Sequence, residues 1–124
     1  MEIQIKRIYD SASQDDGLRL LVDRLWPRGI KKSDLKCDVW AKELAPSTIL
    51  RKTFHADIEA RWDDFIREYT QELMSNSSFE SFMTELIKSS LSKITLLYSS
   101  KNKDLNNAVV LRQLMIRFLS SRTF

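Results

Sequence analysis

The chain has 124 residues, of which 43% are hydrophobic and 30% are charged, a composition typical of one globular domain. Its net charge of +3 permits anionic partners, but it is far from the dense basic surface of a typical duplex-DNA binder. One cysteine excludes an intrachain disulfide, and one cysteine with one histidine cannot form a tetrahedral zinc site, so no metal is predicted.

The first part of the chain predicts two strands separated by a polar turn. Residues Ile3 to Tyr9 begin with alternating apolar and polar side chains, and this start lacks the apolar core of a signal peptide. No run reaches the roughly 18 apolar residues of a transmembrane helix, so we expect a cytoplasmic protein. After the polar stretch 10–17, the apolar run Leu18 to Leu25 predicts a buried strand that ends at Pro27 and Gly29.

The middle of the chain predicts helices. A short helical turn is expected near Ser33, and the sequence Pro46, Ser47, Thr48 predicts the start of a short helix with a hydroxyl cap. The clearest helix runs from Ile58 to Met74, where apolar residues recur every three to four positions.

The last part predicts a helix, a strand and a helix. Residues Ser77 to Glu80 fit a capping box, Lys93 to Tyr98 fit a third strand, and Leu105 to Leu119 fit a helix that is apolar on most sides. The helical crossover between the second and third strands favours parallel pairing, whereas the first two strands could form a hairpin or part of a mixed sheet. We therefore predict a single α/β domain over residues 1–124, with a small, mainly parallel or mixed three-stranded sheet and about five helices.

Two strand ends carry the residues that are best suited to ligand binding. In open α/β sheets, ligands bind outside the carboxyl ends of the strands. If the second and third strands are neighbours, their loops share one crevice, where arginine side chains and helix-start amides would hold a phosphate or carboxylate. A tryptophan there could stack on a base, although packing is its commoner role. The ligand-binding candidates in these loops are Arg24, Trp26, Arg28, Lys101, Asn106 and Asn107.

A second group of candidates lies in the segment between these loops. Ser47 and Thr48 could bind phosphate as well as cap a helix, and Arg51 follows one turn later. The acid–base candidates for an enzyme are Asp23, Lys42 and Glu43. The structural alternative is that Asp23 and the arginines form internal ion pairs. The chain lacks a phosphate-binding glycine loop and a Gly-x-Ser-x-Gly motif, so no cofactor is predicted and an enzymatic role stays open.

Several stretches resemble the YeaO-like family of domains of unknown function. The longest match reads DRLWPRG at residues 23–29 and continues as WAKELAPST at residues 40–48, with shorter matches further along the chain. The resemblance implies a compact α/β domain and no known reaction. Two positions depart from the family pattern, because Ala56 follows His55 where His-Asp-Pro is common, and Leu105 stands where a histidine is frequent. A mechanism that uses either of these family histidines as an acid or base is therefore not expected here.

Three hypotheses follow. The first is a site for a phosphorylated or nucleotide-like small ligand, so the expected partner is an anionic small molecule. The second is a non-enzymatic module for RNA or single-stranded DNA, which would use the basic residues Lys6, Arg7, Lys31, Lys32 and Lys52. The third is a protein-interaction domain whose apolar last helix offers Val110, Leu114, Phe118 or Leu119. No membrane partner is expected, and the oligomeric state is not predicted.

Overall fold

The structure is a computed structural model that describes residues 1–121 and contains a four-stranded parallel sheet. Its strands are β1 (Glu2–Arg7), β2 (Leu18–Leu21), β3 (Val39–Trp40) and β4 (Lys93–Tyr98), in the order β1-β4-β2-β3. The two inner strands are β4 and β2, because β4 pairs with six residues of β1 on one side and with four residues of β2 on the other. The predicted α/β class is confirmed. The predicted domain also includes residues 122–124, which lie outside the described residues.

Four α-helices accompany the sheet in the described part of the chain. They are α1 (Thr48–Ala56), α2 (Ile58–Met74), α3 (Ser77–Lys88) and α4 (Asn107–Ser120). Two short 3-10 helices cover Gln14–Asp16 and Lys42–Leu44. None of the helices within residues 1–121 is long and apolar enough to cross a membrane.

The predictions of three strands and about five helices differ slightly from the structure. The fourth strand, β3, was missed because two residues are too few to show a periodic pattern. The short helical turn expected near Ser33 is present as a single turn that does not extend into a helix, and in it the amides of Asp34 and Leu35 donate to the carbonyl of Lys31. The first two predicted strands form no hairpin, since β4 lies between them and all the pairings are parallel.

The bounds of two elements agree with the predictions, and the ends of two others differ from them. Helix α2 and strand β4 have the predicted bounds. Strand β2 ends at Leu21, four residues earlier than predicted. The cap of α3 is Asn76 rather than Ser77, because the Asn76 side chain accepts a hydrogen bond from the amide of Ser78 at 2.9 Å.

Helices cover one face of the sheet and a long loop covers the other. Successive strand residues point to opposite faces, so Leu20 and Leu96 join the large helical core while Leu21 and Leu97 join a smaller core under Trp26. A parallel sheet needs both faces covered, and residues 22–38 provide the second cover without forming a helix.

A polar network fills part of the loop-covered face. The carboxylate of Asp16 is 1% exposed and accepts hydrogen bonds from Lys6 Nζ at 2.9 Å, from the Ser13 amide at 2.9 Å and from Arg19. Burial would raise the pKa of Asp16, but the hydrogen bonds from Lys6, Ser13 and Arg19 outweigh it and hold the pKa well below its usual range. Lys6 is therefore bound inside this network rather than offered to nucleic acid.

Gly17 fixes the start of β2 beside β4. Its φ is 65°, and a Cβ added there would lie 2.1 Å from the carbonyl oxygen of Lys93. Only glycine adopts this conformation without strain and permits such a close approach.

Helix α4 is used inside the fold. Val110 and Leu114 are 2% and 5% exposed, and the helix packs against β1, β4, α2 and α3. Phe118 is partly buried, with its ring centre 5.9 Å from that of Phe79 in an edge-on arrangement. The side chains of Val110 and Leu114 are therefore not accessible for the predicted protein contact, because their own domain covers them.

Candidate functional site

A cleft of about 560 Å³ opens at the carboxyl ends of β1, β2 and β4. It is lined by the loop after β1, by residues 23–28 after β2, by residues 99–107 around the start of α4, and by one side of α1. Parallel strands send their following loops to the same edge of a sheet, which is why segments so distant in sequence meet here. The two loops singled out in the sequence therefore border one cavity.

Asp23 joins two walls of the cleft. Its Oδ2 accepts hydrogen bonds from the Ser99 amide at 2.9 Å and the Ser99 hydroxyl at 2.7 Å. Its Oδ1 accepts one from Asn107 Nδ2 at 3.1 Å, and Asn107 also donates to the carbonyl of Val22 at 2.9 Å. Both carboxylate oxygens are thus engaged in holding the loop after β2 against the start of α4. Asp23 was an acid–base candidate, but its contacts are those of a positioning residue.

Two arginines of the cleft bind backbone carbonyls. Arg7 Nε donates to the carbonyl of Ser100 at 3.0 Å, and its Nη2 donates to that of Ser99 at 3.3 Å. Arg24 Nε donates to the carbonyl of Pro46 at 2.8 Å. Carbonyl oxygens are neutral acceptors, and neither arginine has an ion pair with a carboxylate within residues 1–121.

Three further cations line the cleft without a hydrogen bond or ion pair of their side chains in the described part of the chain. These three cleft cations are Arg28, Arg51 and Lys101. Arg28 and Lys101 are exposed at the rim, and Arg51 is half-buried on α1. The alternative in which internal carboxylates neutralise every arginine therefore does not hold in this cleft, although it describes Arg19 in the polar network.

Helices α1 and α2 contribute apolar lining residues, and α1 also contributes a histidine. Phe54 stacks on Phe65 with ring centroids 3.9 Å apart, and these two residues line the cleft with Ile58. The ring of His55 lies 5.4 Å from that of Phe54. Partial burial and the positive charge of Arg51 lower the pKa of His55 below its usual value, while the charge of Asp23 acts in the opposite direction.

His55 and Arg7 are cleft residues that the sequence reasoning did not place there. His55 was interpreted as a surface residue, and it is exposed, but it also lines the cleft. Arg7 was assigned to a nucleic-acid surface. One signal was available, because Arg51 and His55 are four residues apart on a predicted helix and therefore share a face. For Arg7 no sequence signal existed, since its role depends on the pairing of β1 with β4.

Lys42 and Glu43 lie outside the cleft. They belong to a 3-10 helix and are exposed, and Lys42 Nζ lies 4.1 Å from the centroid of the Trp40 ring. The carbonyl of Glu43 accepts a hydrogen bond from Asn76. The structure does not bring these two acid–base candidates to the cationic side chains, because this helix turns them toward solvent beside α3.

Ser47 and Thr48 are also absent from the cleft walls. The Ser47 hydroxyl donates to Glu72 Oε2 at 2.6 Å and accepts from the Leu50 amide at 3.2 Å. It therefore caps α1, as the capping interpretation predicted, and ties that helix to α2. Thr48 is exposed in the first turn of α1.

The remaining candidates line the cleft but have structural partners. Trp26 Nε1 donates to the carbonyl of Ile30 at 2.7 Å, and its ring meets Trp40 edge-on at 5.3 Å. Asn106 is buried and caps α4 by accepting from the Val109 amide at 3.1 Å. Trp26 and Asn106 therefore shape the walls of the cleft.

Metal-ligating side chains do not cluster in this region. No group of three or more His, Cys, Asp or Glu residues is arranged to hold a metal ion among residues 1–121. The thiol of Cys37 is free, and burial raises its pKa, which disfavours the thiolate that metals and electrophiles require.

Comparison with known proteins gives a consistent relationship over nearly the whole chain. A sequence model of the family described as "Inactive DUF488-N3 subclade" matches residues 2–123. The chain is 49% identical over 111 residues to "Uncharacterized protein YeaO" of Escherichia coli (strain K12), covering 90% of this chain and 94% of that protein. It is 36% identical over 114 residues to "Uncharacterized protein Rv3073c" of Mycobacterium tuberculosis (strain ATCC 25618 / H37Rv), covering 91% and 92% respectively. No solved structure matches the chain.

Proposed function

The chain belongs to the family described as the inactive DUF488-N3 subclade, and that description states no reaction. We propose that the cleft at its strand ends binds a phosphorylated, nucleotide-like small molecule. The observation that carries the proposal is that three cationic side chains, without polar partners within residues 1–121, line the same cleft. Arg28, Arg51 and Lys101 approach one cavity from three different segments, and the side chain of each has no hydrogen bond or ion pair among the described residues. Arginine side chains in particular match the oxygen geometry of phosphate.

The size and apolar wall of the cleft favour more than a bare anion. Its volume of about 560 Å³ lies within the range of roughly 300–1,000 Å³ that is usual for small-molecule sites. Leu25, which is 55% exposed, and the half-buried Trp26 and Ile58 offer an apolar surface beside the cations. Phe54 and Phe65 also line the cleft, but they are buried. A ligand with a flat ring and an attached phosphate would use both surfaces, which is the reason for the nucleotide-like class.

The contacts favour binding without a chemical step. Asp23 is occupied by three donors, while Lys42 and Glu43 lie outside the cleft. Among the described cleft residues, His55 is the side chain whose ordinary pKa lies near neutrality, and partial burial, together with the charge of Arg51, lowers that pKa. Acid–base catalysis needs a positioned donor and acceptor, and His55 has no uncommitted acidic partner among these cleft residues.

The test is a binding panel of nucleoside phosphates and sugar phosphates, measured by calorimetry. Wild type should bind at least one nucleotide, and Arg28→Ala should weaken that binding about 10- to 100-fold, since a charge-assisted hydrogen bond contributes roughly 1.5–3 kcal/mol. The matched control is Arg61→Ala, which removes an exposed arginine of α2 outside the cleft. Its affinity should equal that of wild type.

Two results would refute the proposal. The first is that fully folded wild type binds no member of the panel at millimolar concentration. The second is equal weakening by Arg28→Ala and Arg61→Ala, which would mean that overall charge, and not the cleft, attracts the anion. An unchanged midpoint of thermal unfolding in both variants is the folding control.

A further inference from the structure

Tyr9 stands at the mouth of the cleft as an exposed ring with a fixed orientation. Its side chain is 48% exposed, yet its hydroxyl donates to the carbonyl of Arg28 at 3.2 Å. The Arg7 guanidinium lies 4.7 Å from the centre of the Tyr9 ring, and Arg7 is itself held by the carbonyls of Ser99 and Ser100. The ring is therefore oriented before any ligand arrives.

An oriented ring of this kind is suited to stacking. The Arg7 guanidinium lies over the Tyr9 ring, and nearly half of the surface of Tyr9 remains exposed to solvent. Many proteins bind successive bases of a single strand on exposed aromatic rings that lie beside cationic groups, because every base has a face that can stack. The mouth of the cleft thus offers a second contact for a flat ring, outside the cavity itself.

A basic loop adjoins this mouth. Residues 28–36 carry four basic side chains and one acidic side chain, a net charge of +3 that equals the net charge of the whole chain. Lys31 and Lys32 are exposed, and Lys32 Nζ lies 6.0 Å from the ring centre of Trp26, which lines the cleft. The loop starts at Arg28, where the Tyr9 hydroxyl binds, so the basic loop and the ring border the same opening.

From these juxtaposed features we infer that the cleft receives the end of a single-stranded nucleic acid, with the neighbouring base stacked on Tyr9 and the next phosphates along Lys31 and Lys32. This inference rests on the proposed nucleotide site and extends it beyond one nucleotide. Recognition would be tolerant of base sequence, because stacking and phosphate contacts do not read base edges.

The experiment compares the best-bound mononucleotide with fluorescent single-stranded hexamers, one of DNA and one of RNA, on the full chain. The hexamer should bind more tightly than the mononucleotide. Tyr9→Ala should weaken the hexamer on the order of 5- to 100-fold and close this gap, as loss of a stacked base does elsewhere. Tyr9→Phe keeps the ring and should retain most of the gap. The DNA and RNA arms decide which strand is preferred.

A salt titration tests the basic loop separately. In the double variant Lys31→Gln with Lys32→Gln, the slope of log affinity against log salt should decrease by about 1.4, or about 0.7 for each phosphate that a lysine no longer neutralises. Lys88→Gln, which lies at the end of α3 and outside the basic loop, should leave the slope unchanged.

The outcomes separate this inference from the proposed function. Equal affinity for mononucleotide and hexamer, or a hexamer affinity that Tyr9→Ala leaves intact, would overturn the strand-end inference alone. Failure of wild type to bind either ligand would overturn both.

Discussion

Replacing Asp23 with asparagine tests whether one carboxylate holds the cleft together. In wild type, Asp23 accepts hydrogen bonds from the Ser99 amide, the Ser99 hydroxyl and Asn107 Nδ2. The asparagine oxygen can still accept from Asn107, and the Ser99 hydroxyl can rotate to accept from the new amide group. The Ser99 backbone amide cannot change its role, so it loses its acceptor.

The size of the effect follows from that one unsatisfied donor. Leaving a buried donor without a partner costs about 1–3 kcal/mol, and because Asp23 and Ser99 are only half-buried we expect the lower part, about 1–2 kcal/mol. For a chain of 124 residues this lowers the midpoint of thermal unfolding by roughly 3–8 °C. Nucleotide affinity should also fall, since the loop after β2 carries Arg28 and is no longer held against α4.

Three measurements together decide the matter. Urea denaturation gives the free energy of unfolding, calorimetry gives the nucleotide affinity, and hydrogen exchange reports the Ser99 amide, which should exchange faster in Asp23→Asn. Asp104→Asn is the control, because it removes an exposed carboxylate from the same loop while the Asp104 backbone keeps its hydrogen bond to Asn102. If Asp23→Asn matched Asp104→Asn in stability and in Ser99 exchange, the assigned positioning role of Asp23 would be incorrect.

Two further predictions concern pH. Asp16→Asn should lower the free energy of unfolding by about 3–5 kcal/mol, because Arg19 would stay buried without its carboxylate. Since the folded-state pKa of Asp16 is depressed, its stabilisation is present above the unfolded pKa of about 3.9 and is lost as pH falls. Urea denaturation of wild type should therefore show stability declining from about pH 4 downward, and a variant with the same decline would contradict this reasoning. Protonation of His55 adds a positive charge beside Arg51, and because its pKa is lowered this happens below about pH 6.5. Affinity for sulfate, whose charge stays constant, should rise as pH falls below about 6.5, on the order of 5-fold once His55 is protonated, and His55→Gln should abolish the rise. An identical pH profile in wild type and variant would argue against it.

Elements with strong local patterns could be predicted from the sequence. Helix α2 shows its apolar face every three to four residues, and β4 is a continuous apolar run because an inner parallel strand is buried on both faces. Strand β3 shows neither pattern. It exists only because Leu20 and Leu21 of β2 pair with Val39 and Trp40, and such a pairing leaves no trace in two residues.

The candidate site was predictable in location and less so in its members. Arg24 lies at the end of the second predicted strand, Arg28 follows that strand and Lys101 follows the third, so the rule for strand ends placed them near one another. Lys42 and Glu43 were grouped with them only because of their residue types. His55 was set aside because an isolated histidine near a helix end is commonly a surface residue. It is exposed, and the packing of α1 on α2 places it at the cleft as well.

The sequence by itself determined the secondary-structure segments and their class, since apolar periodicity, turn residues and capping side chains act over a few neighbouring positions. Tertiary structure alone decided which polar groups remained available. The carboxylate of Asp23 is occupied by a serine 76 positions away, whereas Arg28 and Lys101 met no such partner among the described residues. Hydrogen bonds between side chains depend on contacts between residues that are distant in sequence. Which side chains of the cleft lack a hydrogen-bond partner could therefore be known only from the folded structure.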